Sequence, residues 1–197
     1  IKDAYDYGKL DDARLNKSVE KSNMLIQKMS STIDDFRNFF SSDKESAVFS
    51  IQDSIEEVLN ILDGSLKKHN ITVNRDYKDI CNIDCFANEY SQVLLNIFNN
   101  ARDALVEMNT ESPSIDVKIV NSEGNCLLSI GDNAGGIPTD MIDRISEPYF
   151  TTKIQNDGTG IGLYMSKTII EDHMNGKLTV HNGENGAIFE VSIKSAN

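Results

Sequence analysis

The chain has 197 residues, 39% hydrophobic and 25% charged, an ordinary balance for a globular protein and room for one full domain plus an appendage. Its net charge of −12 argues against broad nucleic-acid binding, which needs a basic face. No run approaches a membrane span, no signal-peptide pattern opens the chain, and the three cysteines are an odd count, so a soluble segment in a reduced, cytoplasmic compartment is expected.

Residues 1–12 are polar and contain Gly8, which reads as a turn or frayed start. From Leu15 a heptad pattern runs through Val19, Ser22, Ile26, Met29, Ile33, Phe36 and Phe40. That spacing predicts a long helix with a left-handed packing seam, hence a bundle or coiled coil. An amphipathic helix folded onto its own domain would show the same period. The polar stretch 41–46 marks a boundary, giving segments 1–44 and 49–197. Beyond it, Ile51, Ile55, Val58, Leu59, Ile61 and Leu62 predict a helix over 51–68, and residues 71–77 alternate like a strand. A second helix is expected from about 89 to 108, then strands over 115–120 and 127–132 joined by a turn. A helix after Gly162 and a hairpin of strands 177–181 and 187–193 complete the set. The sum is an α+β chain: a two-layer α/β sandwich, with a mixed sheet carrying three helices on one face, preceded by the bundle-type helix. Residues 137–157 show little apolar periodicity, and a loop that long in a compact domain is usually functional. Cys81, Cys85 and Cys126 lack the spacing of a zinc site and read as structural. His69, His173 and His181 read as surface or capping residues.

Three stretches carry chemistry. In the second helix, Val93, Leu94, Ile97, Ala101 and Ala104 form the apolar stripe, so Asn96 and Asn100 lie one turn apart on one face. Amides so placed are costly to bury without partners, and a hard cation with phosphate oxygens would supply them; core amides satisfied by backbone are the plain alternative. Asp132 ends an apolar strand and meets Asn133-Ala-Gly-Gly136, a turn that lets backbone approach a ligand closely. Its carboxylate could accept a hydrogen bond from an exocyclic amine, or simply form an Asx-turn. Gly158-Thr-Gly160-Ile-Gly162 leads into a helix whose free N–H groups suit phosphate.

With Glu147-Pro-Tyr-Phe150-Thr-Thr-Lys153, the order and spacing of these stretches resemble the N, G1, F and G2 boxes of the histidine-kinase catalytic domain, in the GHKL ATPase superfamily. The resemblance covers roughly residues 50–194 and implies the GHKL (Bergerat) ATP-binding fold, with ATP and Mg2+ as ligands. Asn100 matches the magnesium-coordinating asparagine and Asn96 its neighbour one turn earlier. Asp132 matches the reader of the adenine amine, and Gly136, with Ile137 beside it, the second G1 glycine; Ala134 stands where glycine is more usual. Phe150 and Lys153 match the F box, Lys153 being the obvious cation for the γ-phosphate. Thr151 and Thr152 fit as nucleotide contacts or as simple loop hydroxyls. Gly158, Thr159, Gly160, Ile161, Gly162 and Leu163 match the G2 segment that would hold phosphates. Asp103 falls on the nucleotide side where some members have Lys or Arg, Arg102 would point elsewhere, and Ile188 stands where a threonine often supports the adenine pocket.

One position separates the enzyme classes. Hydrolysing branches of the superfamily place a glutamate one turn before the metal asparagine as general base for water. Here that position is Asn96, an amide that takes no proton at neutral pH, and Glu89 is too far back along the helix to replace it. The resemblance therefore implies a histidine kinase, with Asn96, Asn100 and Lys153 as its catalytic set, over a GHKL-type ATPase or a nucleotide-gated interaction module. Residues 29–40 resemble the second helix of the dimerisation and phosphotransfer hairpin, with the phosphoacceptor histidine on a first helix absent from this sequence. The implied partners are a response-regulator receiver domain and a second copy through the completed hairpin. The segment would be the cytoplasmic part of its parent, which could itself be membrane-anchored.

Overall fold

The computed structural model describes residues 11–20, 22, 23, 26, 46–151 and 160–196. The chain divides into two compact units, Ile1–Lys44 and Glu45–Asn197. In the first, residues 12–20 are helical, and Leu15, Val19 and Ile26 of the heptad stripe are exposed. Met29, Ile33, Phe36 and Phe40 of that stripe, and the boundary at 41–45, lie outside the described residues.

The second unit opens with a short strand, β1 (Ala47–Ser50), whose last residue caps helix α1 (Ile51–Lys68) by accepting from Asp53 N–H at 3.3 Å. The helix stops where Asn70 takes φ 53° and Ile71 N–H returns to Leu66 C=O at 3.0 Å. His69 sits at its C-cap. Then come β2 (Thr72–Tyr77), β3 (Asn82–Cys85), α2 (Ala87–Glu107), β4 (Ser114–Ser122) and β5 (Asn125–Asp132). After the long loop follow α3 (Gly162–Thr168), a π-helical turn over Ile169–His173, β6 (Lys177–Asn182) and β7 (Ala187–Lys194).

Five strands form one mixed sheet in the order β2-β4-β5-β7-β6, parallel only between β2 and β4, while β1 and β3 make a separate antiparallel pair. Alternating burial along β4, β5 and β7 shows that one sheet face is covered and the other open. Ile119, Leu128, Val191 and Leu178 align in register across four strands as one buried row. Against such rows pack Ile55, Val58 and Leu62 of α1 and Val93, Leu94, Ile97 and Ala101 of α2, the positions that the helical period selects. Arg75 and Tyr77 tie β2 to α1 through Glu56 Oε1 at 2.8 and 2.9 Å, and the guanidinium holds that carboxyl below its ordinary range.

Three features depart from the sequence expectation. The β1–β3 pair, four residues each, is not among the expected strands. The helix after Gly162 is α-helical only as far as Thr168 and widens at Ile169. His173 ends the helical turn half-buried, and the sequence does not indicate its partner: its Nδ1 lies 3.0 Å from Oε2 of Glu89, a buried carboxylate in the first turn of α2. His181 is exposed on β6, as expected.

The cysteines are free and buried. Burial pushes the Cys81 thiol up to about 12, helped by its hydrogen bond with Cys126, and Cys85 to about 11, so these two stay inert fillers. Beside them Tyr90 is fully enclosed, its ring 5.7 Å from that of Phe49, and its hydroxyl has no partner among the described residues. A buried orphan hydroxyl destabilises the fold. Tyr90→Phe is therefore expected to raise stability by about 1 kcal/mol, read as a higher urea midpoint at constant slope. A comparable loss would show that the hydroxyl is satisfied.

Candidate functional site

Helix α2 presents Asn96 and Asn100 half-buried on one face. Asn96 Nδ2 donates to Ser166 Oγ at 2.8 Å, and Ser166, on α3, is only 2% exposed. A β-carbon at Gly162 would collide with Asn96 Oδ1, so the glycine lets the two helices meet there. The Asn100 side chain, by contrast, makes no hydrogen bond to any described residue. Arg102 turns away from it, donating to Asp103 Oδ1 from Nη2 at 2.6 Å and from Nε at 3.0 Å, and lying 3.4 Å from Ser65 of α1. Asp103 is thus engaged by its neighbour.

Asp132 is the last residue of β5. Its Oδ1 accepts from Ala134 N–H at 2.9 Å and Ala187 N–H at 3.3 Å, so the Asx-turn is present. Its Oδ2 has no partner among the described residues and remains available as an acceptor. Burial pushes this carboxyl above its ordinary range, with the two N–H bonds pulling the other way. Gly186 lets the β6–β7 turn press against it: a β-carbon there would fall 2.6 Å from Asp132 Oδ1. Ile188 packs over Gly131 and Gly183, filling the place named for a threonine.

The turn after Asp132 carries φ +90° at Gly135 and +87° at Gly136. Asn133 anchors its start, accepting from Ser114 N–H at 2.8 Å and donating to Ser112 C=O at 3.1 Å. Asn182, which the sequence pattern does not single out, anchors its end: Oδ1 accepts from Ile137 N–H at 2.8 Å and Nδ2 donates to Ile137 C=O at 2.7 Å. The only sequence signal at Asn182 is the Asn-Gly turn dipeptide, which points to a hairpin rather than to this role.

Phe150 lies under the Arg144 guanidinium, 4.8 Å from the ring centroid. Tyr149, at φ 67°, donates its N–H to Gly160 C=O at 2.9 Å, and a β-carbon at Gly160 would sit 2.5 Å from the Tyr149 carbonyl carbon. The F-box backbone is therefore joined to the start of α3, with Ile161 at the N-cap, Gly162 as first residue and Leu163 half-buried. Thr151 is half-buried. Thr152, Lys153, Gly158 and Thr159 lie outside the described residues. The described residues contain no His/Cys/Asp/Glu cluster able to hold a metal. A cavity of about 560 Å³ lined by Phe49, Ser50, Asp53, Glu57 and Asn88 shares no residue with this constellation.

Residues 87–197 match the family of histidine kinase-, DNA gyrase B-, and HSP90-like ATPases. The two-component sensor PprA of Pseudomonas aeruginosa is 38% identical over 117 residues, covering 56% of this chain and 12% of PprA. The chain thus spans a small part of that relative's length. The catalytic domain of histidine kinase ThkA superposes with a TM-score of 0.68 at 29% identity, over 77% of this chain and 96% of that one. Histidine kinase ThkA in complex with the response regulator TrrA shares the fold over 95% of this chain and 53% of that one, with a TM-score of 0.74 at 22% identity.

Proposed function

The chain belongs to the family of histidine kinase-, DNA gyrase B- and HSP90-like ATPases, and from that membership we propose that it binds Mg-ATP and donates the γ-phosphate to a histidine on a helix outside this sequence. The observation that carries the kinase reading is Asn96. Its amide is held by the buried Ser166 hydroxyl and cannot take a proton from water. A site without a water-activating base favours an acceptor that is already nucleophilic, leaving catalysis to positioning and electrostatics.

Asn100 fits a metal ligand, because a half-buried amide without a side-chain partner among the described residues can offer its oxygen to a cation that takes few ligands from protein. Magnesium, when bound, would offset phosphate charge. Asp132 Oδ2 would accept from the adenine amine, and Gly136 and Gly160 would bring backbone close to the nucleotide. Phe150 and Thr151 would contact the nucleotide, and the family resemblance assigns the same part to Thr152, Lys153, Gly158 and Thr159, with Lys153 for the γ-phosphate.

In the same reading, residues 1–44 supply the second helix of a dimerisation hairpin and residues 49–197 the catalytic domain. The exposed Leu15, Val19 and Ile26 support a partner helix for the first. No described helix is long and apolar enough to cross a membrane, and the kinase reading would place this segment in the cytoplasm. The ThkA complex supports a response-regulator receiver domain as the eventual phosphate acceptor. The test is to mix this chain with γ-labelled ATP and a separate fragment carrying the upstream helix. Label should appear on that fragment's histidine. Phosphate released to water at a comparable rate would make the protein an ATPase instead.

A further inference from the structure

We propose that Asn182 is a positioning residue of the nucleotide site: its side-chain amide fixes the Gly135–Gly136 turn in the shape that receives ATP. The inference rests on the nucleotide-binding reading above and adds to it a residue on a different strand. Two successive glycines at positive φ have the widest backbone freedom available, and a turn that had to be ordered at each binding event would weaken binding. Asn133 and the Gly135 N–H···O=C bond to Asn185 hold only the first half of that turn. For Ile137, on the far side of both glycines, Asn182 is the one hydrogen-bond partner among the described residues.

The geometry of that contact is specific. Asn182 offers Ile137 an acceptor and a donor at once, as a neighbouring strand would, so the end of the edge strand β6 is extended sideways by a side chain. Because the two bonds go to the N–H and the C=O of one residue, the amide can face only one way. It also claims the space above Gly136, where a β-carbon would come within 2.7 Å of Asn182 Oδ1. Gly136 and Asn182 therefore act as one device. The glycine supplies the φ and the room, and the asparagine removes the freedom that the glycine brings.

The experiment measures binding of a non-hydrolysable ATP analogue with magnesium by calorimetry, well below the unfolding temperature, for the wild type, Asn182→Ala and Asn182→Asp. Aspartate keeps the shape and the acceptor but sets a negative oxygen against the Ile137 carbonyl, so it should behave like alanine even where alanine perturbs folding. Both variants should raise Kd about tenfold. They should leave kcat for transfer to the upstream-helix fragment, at saturating ATP, within about threefold. A residue that merely braced the fold would lower the melting temperature and leave Kd unmoved. Gly136→Ala should weaken binding more in the wild type than in the Asn182→Ala background, since removing the amide relieves the clash. Wild-type affinity in both Asn182 variants, or strict additivity with Gly136→Ala, overturns this inference alone. A wild type that does not bind the analogue overturns the nucleotide reading and this inference with it.

Discussion

Alanine at position 100 is expected to raise the Kd for Mg-ATP about 100-fold or more without lowering the urea midpoint of the protein. The two halves of that expectation have one cause. The Asn100 side chain makes no hydrogen bond to any described residue, so removing its amide breaks no bond among them, and alanine suits a helix interior better than asparagine does. What would disappear, in the proposed reading, is an amide oxygen able to hold a cation against phosphate oxygens. Asn96, one turn earlier, is the internal contrast. Asn96→Ala strips a partner from the buried Ser166 hydroxyl and should therefore lower stability as well as activity. If Asn100→Ala bound Mg-ATP as the wild type does, the metal would have to be held elsewhere and the site redrawn.

This asymmetry between two amides is also where sequence reasoning stopped short. Spacing alone places Asn96 and Asn100 on one face of α2, because a helix buried along Val93, Leu94, Ile97 and Ala101 leaves no other registration. It does not say which amide is engaged, since Ser166 lies 70 residues further on. The same limit applies throughout the domain. Helices α1 and α2 and the two hairpins are legible because each repeats a local period over many residues, and turn residues punctuate them. The β1–β3 pair is four residues deep and exists by pairing across α1 and β2. Glu89 and His173 meet only in the fold, and Asn182 reaches Ile137 from 45 positions away. Glycine patterns fared better, because a glycine that a turn or a close approach demands marks its own position. Gly136, Gly160 and Gly162 are all sites where a β-carbon would strike a neighbouring element. Their chemistry is visible in sequence as an absence of side chain, whereas what they make room for is not.

Base selection gives the second large effect. Asp132→Asn is expected to lower the ratio of ATP to GTP affinity by about 100-fold, on the order of 3 kcal/mol. The substitution is nearly isosteric, and Asn Oδ1 can go on accepting from Ala134 and Ala187 N–H, so the turn at the end of β5 should survive. The change falls on the other atom. Where the carboxylate offers Oδ2 to an exocyclic amine, asparagine sets an NH2 group donor-to-donor against adenine, while the carbonyl of guanine becomes a match. The ratio also carries a pH signature. Burial raises the Asp132 carboxyl above its unfolded value, so on acidification the folded chain takes up this proton before the unfolded one does. That proton relieves a buried charge and stabilises the fold, as pH falls through the folded value, while removing the acceptor that, in the proposed reading, would meet the adenine amine. ATP preference in the wild type should therefore decline at a higher pH than an ordinary aspartate would allow, and Asp132→Asn should show no such decline. Titration of the triphosphate itself is common to both nucleotides and cancels in the ratio. A wild-type ratio flat across the acid range, or an Asp132→Asn protein that still preferred ATP, would remove Asp132 from base recognition and leave it as the Asx-turn residue its Oδ1 already makes it.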